Sequence, residues 1–318
     1  MFSAEDFSPV TLEDRDLFSS FYRSYPQLHS DNSFANMVCW NHYAHYRKAV
    51  TGDHLVLSST VNGETRFRFP IGPRDPEVTK EVLRLSLDAG GSTPFVTFNG
   101  EDRSYLGEVC PELVLHPFRD FFEYVYLSSD LADLPGKPYL KIRHQLNRFH
   151  RRCSFATEAI TGENTGEARE FLERWCDWRD CETDPVLAKE REAILFALAH
   201  LEVLNLSGLL IRVRDQEGAT DAGRIGAQDG NRIGAMAIFQ ELNPETAVVH
   251  FEKGLPDCEG IYRAVNQETA LLLRDRYPFI NRESDLGVPG LREAKERYHP
   301  HHLVGVYYAR RSEMERVI

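Results

Sequence analysis

The segment 281–298 contains the densest set of side chains in this sequence that could act on a substrate. It reads NRESDLGVPGLREAKERY. Its first polar residues are Asn281, Arg282, Glu283 and Asp285. They follow a short predicted strand, and the ends of strands in mixed sheets are where sites often form. A turn rich in glycine and proline then leads into a helix with Arg292 and Lys295, two cations able to hold a phosphate or carboxylate group. The alternative is a salt-bridged strand end beside a solvated helix face.

A second polar group lies at the end of an earlier predicted strand, in the sequence HFEK. Side chains alternate along a strand, so His250 and Glu252 are predicted on one face and Phe251 and Lys253 on the other. If this strand neighbours the one that ends at Asn281, the two polar groups converge. His250 or Glu252 would then be the general base towards an amine or hydroxyl acceptor. The alternative is a half-buried pair that only caps the sheet edge.

A basic segment stands out against the acidic composition of the chain. Residues 135–157 contain six Lys or Arg residues and no acid. Residues 139–152 within it have the apolar spacing of an amphipathic helix. Arg148, Arg151 and Arg152 are the predicted contacts to nucleic-acid phosphates, which would make binding strongly salt-dependent. The alternative is that the cations of this helix pair with the acid-rich segments 167–173 and 177–184.

The elements that position these residues predict an α+β protein. In the first half, Asn62-Gly63 separates two alternating segments, which is the strongest hairpin signal in the sequence. In the second half, strands are predicted at 208–214, 233–239 and 246–252, followed by a helix and a short strand. Both halves share the order helix, antiparallel strands, helix, strand. This order predicts two related modules, at residues 1–130 and 131–318, with the site in the second.

Three other motifs predict no chemistry. The glycine-rich segment 224–235 lies between two strands and matches neither a P-loop nor a dinucleotide fingerprint, so we predict a long hairpin loop. The six cysteines contain no C-x-x-C pair, and we expect reduced thiols. His299, His301 and His302 surround a proline without a regular helix or strand to hold them, so no metal site is predicted.

Composition excludes several classes of protein. The chain has 318 residues, 42% of them hydrophobic, and a net charge of −12, which argues against wrapping nucleic acid over the whole surface. The N-terminal residues are acidic where a secretory signal needs cations. No segment approaches the roughly 18 uninterrupted apolar residues of a membrane span. We therefore predict a cytoplasmic protein without a transmembrane segment.

The polar segments together resemble a known family. Residues 281–298, with 250–254 and the sequence YRAVN at 262–266, are similar to an uncharacterised family that shares the C-terminal domain of phosphatidylglycerol lysyltransferases. The pattern N-R-E-x-D-L-G-x-P-G-L-R-x-A-K-x-x-Y is the most specific part. The resemblance implies two tandem modules of the N-acetyltransferase (GNAT) type, related to peptidoglycan-building aminoacyltransferases that use aminoacyl-tRNA.

The resemblance also implies roles for individual residues. The Gly-Leu-Arg-x-x-Lys helix that lies beside the transfer site in the lysyltransferases matches Gly290, Leu291, Arg292 and Lys295. With the reasoning above, the predicted catalytic residues are His250, Glu252, Glu283 and Asp285. The predicted substrate-binding residues are Lys253, Tyr262, Asn266, Asn281, Arg282, Arg292, Lys295 and Tyr298.

The resulting hypothesis is an aminoacyltransferase that moves an aminoacyl group from aminoacyl-tRNA to an amine or hydroxyl acceptor, with no bound cofactor. Positioning, proton removal and stabilisation of the oxyanion would supply most of the acceleration. The chain lacks the large transmembrane half of the lysyltransferases, which favours a soluble acceptor or a peripheral membrane contact. An acyl-coenzyme A donor is the first alternative, but residues 253–260 lack the glycine spacing of a pyrophosphate loop. A non-catalytic binding module is the second.

Overall fold

A computed structural model describes residues 3–215, 232–256 and 258–318 of the chain. The strands within these ranges are β1 (Ser8–Pro9), β2 (Arg47–Thr51), β3 (His54–Val61), β4 (Glu64–Arg68), β5 (Phe95–Thr97), β6 (His116–Pro117), β7 (Glu123–Leu127), β8 (Cys153–Ala159), β9 (Ser207–Asp215), β10 (Arg232–Asn243), β11 (Thr246–Gly254), β12 (Phe279–Ser284), β13 (His302–Val304) and β14 (Tyr307–Ala309).

The helices are α1 (Arg15–Ser24), α2 (Phe34–Cys39), α3 (Asn41–Ala44), α4 (Pro76–Asp88), α5 (Gly100–Val109), α6 (Ser128–Asp133), α7 (Leu140–Arg152), α8 (Thr165–Arg179), α9 (Pro185–Ala199), α10 (Ile261–Leu273), α11 (Pro289–Glu296) and α12 (Arg311–Met314). Short 3₁₀ turns include Ser30–Asn32 and Arg119–Phe121. None of the helices in the described ranges combines the length and apolar character needed to cross a bilayer.

The strands form two seven-stranded, mostly antiparallel sheets. Their orders are β1-β2-β3-β4-β5-β14-β6 and β13-β7-β12-β11-β10-β9-β8. Each sheet contains a short parallel pairing, β4 with β5 and β11 with β12. The predicted hairpin is confirmed, because β3 and β4 are joined by Asn62 and Gly63, both with positive φ as a tight hairpin turn requires. The predicted strands of the second half correspond to β9, β10 and β11, while residues 216–231, with most of the predicted glycine-rich loop, lie outside the described residues.

Contacts between residues divide the described chain into two compact units. The first contains the described residues up to 123 together with 283–292 and 303–318. Its core includes Val56, Phe67 and Phe95 from the sheet and Val82 and Leu83 from α4. The start of α4 is stabilised by its first residues, because the Asp75 side chain accepts a hydrogen bond from the Glu77 N–H at 2.8 Å and a proline occupies the first helical position.

The second unit contains the described residues of 124–282 and 293–302. Its core is formed by the face of β9, β10 and β11 that α10 and α7 cover, with Ile211, Ala237, Val249, Val265 and Phe149 among its buried members. Alanine at several sheet positions lets α10 approach closely. The predicted amphipathic helix is confirmed as α7, whose buried residues are Ile142, Leu146 and Phe149.

The strand β11 contains a β-bulge that sequence alternation did not predict. Ile238 is opposite Phe251 and Phe239 is opposite Val249, so His250 is the extra residue. Val249 packs in the core beneath α10, and Glu252, three residues later, also faces α10. Regular alternation would place these two side chains on opposite faces. The bulge therefore interrupts the alternation between Val249 and Glu252, and the shared face of His250 and Glu252 stays a prediction.

The cysteines also differ from expectation. Cys176 and Cys181 form a disulfide with a Cα–Cα distance of 5.0 Å, whereas reduced thiols were predicted. The chain turns back after α8 through Asp180, which has a φ of 56°, and the Cys181 N–H donates to the Cys176 carbonyl at 3.2 Å. This local turn brings together two thiols that are five residues apart.

Candidate functional site

The candidate site lies where the parallel strands β11 and β12 separate. Their register runs from Thr246 opposite Phe279 to Val248 opposite Asn281 and ends there. Beyond this point β11 continues to Gly254 and β12 to Ser284. Asn281, the last paired residue, is fully buried. The two strands therefore diverge beyond the pair formed by Val248 and Asn281.

Arg282 is at the centre of the polar groups at this point. Its Nη2 lies 3.1 Å from Glu252 Oε1 and 3.3 Å from Glu252 Oε2. The Asn266 amide oxygen, directed towards the guanidinium, accepts from Arg282 Nε at 2.9 Å and from Nη1 at 3.0 Å. Three of the predicted site residues, from β11, α10 and β12, thus form one hydrogen-bonded cluster, which we call the Arg282 cluster. Glu252 retains 14% exposure of its side chain and is the carboxylate of this cluster that solvent reaches.

Aromatic rings enclose the guanidinium. Its Cζ lies 5.1 Å from the centre of the Tyr298 ring and 6.0 Å from that of Tyr126. Burial alone would lower the pKa of Arg282, but Glu252 and the two tyrosines outweigh burial and raise it. Tyr298 also accepts a hydrogen bond from a second arginine, since Arg263 Nη1 lies 3.2 Å from the Tyr298 hydroxyl. Tyr298 is almost fully buried, so it supports Arg282 and does not line an open surface.

Lys295 fixes the backbone at Arg282. Its Nζ donates a hydrogen bond to the Arg282 carbonyl, and the Tyr126 hydroxyl donates to the Lys295 carbonyl at 2.9 Å. The ammonium also lies 5.8 Å from the centre of the Tyr124 ring. The sequence predicted Lys295 as a ligand for phosphate. Its observed contacts show it holding the strand end from which Arg282 projects.

Two predicted substrate-binding residues belong to a second group of contacts, which involves α8 and α9. Lys253 Nζ is 2.7 Å from Glu190 Oε1 and 4.3 Å from the centre of the Trp175 ring. Trp175 Nε1 donates to the Tyr262 hydroxyl at 3.1 Å. Tyr262 is 37% exposed, and burial of its hydroxyl end raises its pKa. Sequence reasoning missed Trp175 as a partner because packing was the commoner explanation for a tryptophan.

Asp285 and Arg292 fix the turn between β12 and α11. Asp285 is fully buried, and it accepts from Arg292 Nε at 2.7 Å and from the Gly287 N–H at 2.9 Å. Arg119 Nη1 lies 3.4 Å from the same carboxylate, and Asp120 pairs with Arg292 at 2.8 Å. Arg119 and Asp120 were missed because they are remote in sequence. Both carboxylate oxygens of Asp285 are engaged in holding the turn.

The remaining predicted residues, Glu283, His250 and the arginines of α7, lie outside the Arg282 cluster. Glu283 has a φ of 59°, which is an uncommon backbone conformation for a residue with a side chain. Burial raises the pKa of Glu123 and of Tyr46, and the charge of Glu283 adds to both shifts. His250 is buried at the bulge. On α7, Arg148 and Arg152 both pair with Glu259, while Arg151 is exposed. No group of three His, Cys, Asp or Glu side chains in the described ranges has the geometry to hold a metal ion.

The model of the family described as phosphatidylglycerol lysyltransferase, C-terminal, matches residues 22–310. The chain belongs to this family. The resemblance noted from residues 281–298 is thereby confirmed. No curated protein sequence matches the chain.

Several solved structures are similar in fold to this chain. A conserved protein of unknown function from Bacteroides thetaiotaomicron VPI-5482 is 28% identical, with a TM-score of 0.83 over 96% of this chain and 98% of that chain. The C-terminal domain of a putative lysylphosphatidylglycerol synthetase from Agrobacterium fabrum is 13% identical, with a TM-score of 0.61 over 94% and 91%. A tandem GNAT protein from the clavulanic acid biosynthesis pathway is 12% identical, with a TM-score of 0.50 over 96% and 98%. These similarities confirm the predicted α+β fold of tandem GNAT-like modules.

Proposed function

We propose that this protein is an aminoacyltransferase that moves an aminoacyl group from aminoacyl-tRNA to an amine or hydroxyl acceptor. Membership of the lysyltransferase C-terminal family supports an aminoacyl-transfer activity in general. The observation that carries the proposal is the Arg282 cluster, whose ion pair is largely but not fully buried at the point where β11 and β12 diverge. The tRNA donor is the expectation that follows from the sequence resemblance.

The proposed reaction needs few catalytic groups because the donor ester is already activated. The acceptor nitrogen or oxygen attacks the ester carbonyl, the bond to the tRNA 3′-terminal oxygen breaks, and the acceptor proton ends on that oxygen. Glu252 takes the proton from the acceptor and passes it to the leaving oxygen. Arg282, which Asn266 orients, holds Glu252 in place.

A transfer assay with the full chain tests this proposal. Bulk tRNA charged with radiolabelled amino acids is the donor, and the acceptor arms are phosphatidylglycerol vesicles and a mixture of water-soluble amines. Wild-type protein should move label to at least one acceptor. Glu252→Gln, which keeps the shape but cannot take a proton, should transfer at least about 100-fold more slowly. Glu241→Gln is the matched control, because Glu241 pairs with Arg276 on the surface of the same unit.

The contrary outcomes are distinct. Undiminished transfer by Glu252→Gln removes Glu252 as the base. If charged tRNA supports no transfer but a parallel mixture of acyl-coenzyme A thioesters acylates the acceptor, the donor is an acyl-coenzyme A and not aminoacyl-tRNA. If neither donor supports transfer, the chain is a binding module with the fold and without the chemistry.

A further inference from the structure

The first unit contains a surface cavity that the proposed reaction does not use. Its volume is about 320 Å³, and its lining comes from α4, from the end of α5 with the turn that follows it, and from residues 317–318. All of these residues belong to the first unit. We call it the α4 cavity. Its volume is at the lower end of the range for small-molecule sites, so its ligand would be small.

The core of the first unit fixes the walls of the α4 cavity. Val82 anchors α4 in this core, and Cys110 and Ile318 pack against the same core. The Leu113 N–H donates to the Cys110 carbonyl at 3.0 Å. The Ile318 N–H donates to the carbonyl of Met314 at 2.9 Å, and Met314 is fully buried. The cavity is therefore preformed, and a ligand need not order its walls.

Two cations of α4 line the cavity. Lys80 and Arg84 are four residues apart, which places them on one face of the helix. Like charges at this spacing repel each other, and an anion between them relieves the repulsion. Lys80 pairs with Glu77 at 3.2 Å, but the Glu77 side chain is 79% exposed and such a pair is weak. Arg84 is exposed, and within the described part of the chain no hydrogen bond or ion pair engages its guanidinium.

The rest of the lining is mostly apolar. Val109, Val317 and Ile318 supply aliphatic side chains, and Cys110 lines the same space. Glu112 is the acid among the described lining residues. The lining side chains thus carry two positive charges and one negative charge beside an aliphatic wall. An anionic group on an apolar body matches this combination.

We propose that the α4 cavity binds a small amphipathic anion, which is a carboxylate or phosphate group on a short aliphatic chain. The anionic group lies between Lys80 and Arg84, where the planar guanidinium can engage two of its oxygens. The aliphatic chain lies against Val109, Val317 and Ile318. A carboxylate and a phosphate monoester share this chemistry. The proposal depends neither on the Arg282 cluster nor on the proposed transfer reaction.

The Cys110 thiol can report whether the cavity is occupied. Cys110 is half-buried, whereas the other free thiols, Cys39, Cys153 and Cys258, are buried. Iodoacetamide should therefore alkylate Cys110 first, and peptide mass spectrometry identifies the modified residue. Burial raises the pKa of Cys110, and the charges of the two α4 cations oppose this shift. A bound anion should slow alkylation because it covers the thiol and cancels those charges.

Four probes titrated into the full chain test the proposal: hexanoate, hexyl phosphate, hexanamide and inorganic phosphate. Hexanoate or hexyl phosphate should protect Cys110 saturably and slow its alkylation at least about fivefold. Hexanamide has no charge and inorganic phosphate has no chain, so each should bind at least about tenfold more weakly. Isothermal titration measures the same affinities without the thiol. Tighter binding of hexanoate identifies a carboxylate ligand, and tighter binding of hexyl phosphate identifies a phosphate ligand.

Variants connect the binding to the lining of the cavity. Arg84→Gln and Lys80→Gln should each weaken binding of the protecting probe by about tenfold. Glu112→Gln should strengthen it, because the substitution removes the negative charge of the lining. Arg23→Gln is the matched control for net charge, since Arg23 is an exposed arginine of α1 that does not line the cavity. Alkylation rates with and without the probe are compared within each variant, because the loss of a nearby charge also changes the pKa of the thiol.

Three results overturn the proposal. One is that neither hexanoate nor hexyl phosphate protects Cys110 at millimolar concentration. Another is that hexanamide binds as tightly as they do, which would mean that the cavity recognises the aliphatic chain alone. The third is that Arg84→Gln, Lys80→Gln and Arg23→Gln bind the probe equally. None of these measurements uses the transfer reaction, so the proposed function and this inference can each fail without the other.

Discussion

Arg282 is enclosed by groups that stabilise its charge, and among the described residues Glu252 is the hydrogen-bonded partner that carries a full negative charge. We predict that Glu252→Ala lowers the free energy of unfolding by about 2–4 kcal/mol, because it leaves a largely buried guanidinium without its carboxylate. Urea unfolding measures the change. Glu315→Ala is the control, since Glu315 pairs with Arg311 on the surface and its loss should cost under about 1 kcal/mol. Equal costs for the two variants would mean that the Arg282 cluster is not structural.

Glu123 gives a prediction about pH. Its pKa in the folded protein is raised above the ordinary value of 4.5, chiefly by burial. The folded state therefore binds this proton more tightly than the unfolded state, and the stability that results is present below pH 4.5 and is lost as the pH rises through the folded pKa. Glu123→Gln cannot ionise. We predict that the variant gains stability relative to wild type as the pH rises, measured by urea unfolding across a pH series.

The comparison for Glu123 is a difference between two proteins, so other titrating groups cancel. Glu315→Gln, an exposed position, should differ from wild type by a nearly constant amount over the same series. A constant difference for Glu123→Gln as well would show that this carboxyl group is not buried in the folded protein.

Single residues explain which parts of the candidate site the sequence revealed. Glu252, Asn266 and Arg282 were found because each lies in a short polar segment beside a recognisable strand or helix. Arg68 and Glu123 were missed because each is an isolated charge within an alternating strand, where an exposed side chain is the ordinary interpretation. Their burial depends on the turn Ser30–Asn32, which contacts both and is remote from both in sequence.

The strands and helices were easier to predict than the face of each strand on which a given side chain lies. Hairpin, helix and strand signals are local, so the Asn62-Gly63 turn and α7 could be located from the sequence. The bulge at His250 inserts one residue into β11 and reverses the alternation of everything after it. Nothing in the sequence HFEK signals this insertion. The face of a strand is therefore less secure than its existence.

The start of α10 gives a prediction at the same scale. Gly260 has a φ of 93°, and a Cβ there would lie 2.8 Å from the Gln145 carbonyl oxygen and 3.0 Å from Phe149 Cβ, both on α7. We predict that Gly260→Ala lowers the free energy of unfolding by roughly 2–5 kcal/mol through backbone strain and overpacking. Since α10 also carries Asn266, the Arg282 cluster should loosen with it.

Gly100→Ala is the matched control for this change. Gly100 begins α5, and a Cβ there meets nothing within 4 Å. Its free energy of unfolding should stay within about 1 kcal/mol of wild type. A similar value for Gly260→Ala, measured by the same urea titration, would contradict the close contact between α10 and α7.

At the scale of the whole molecule, a net charge of −12 opposes binding of a polyanion, so any tRNA contact must come from a local group of cations. The cations of α7 are such a group, but the structure qualifies the prediction from the sequence. Arg148 and Arg152 share Glu259 as a partner, while Arg151 is exposed. All three pairing side chains are largely exposed, so the pairing is weak and a phosphate can compete with it.

Because of this arrangement, removal of a cation of α7 and removal of its acidic partner should have opposite effects on the binding of charged tRNA. Arg151→Ala should weaken binding and reduce the slope of log affinity against log salt by about 1, as the loss of one phosphate contact does. Glu259→Ala should strengthen binding at low salt, because it releases two guanidinium groups. Filter binding over a salt series measures both effects.

Glu315→Ala is the control for net charge. It changes the net charge by the same amount as Glu259→Ala and also releases an arginine, but it lies outside α7 and its partners. If Glu259→Ala and Glu315→Ala strengthen binding equally, net charge alone governs the encounter and α7 is not the tRNA surface. If only Glu259→Ala does so, the acid beside α7 limits the affinity for the donor.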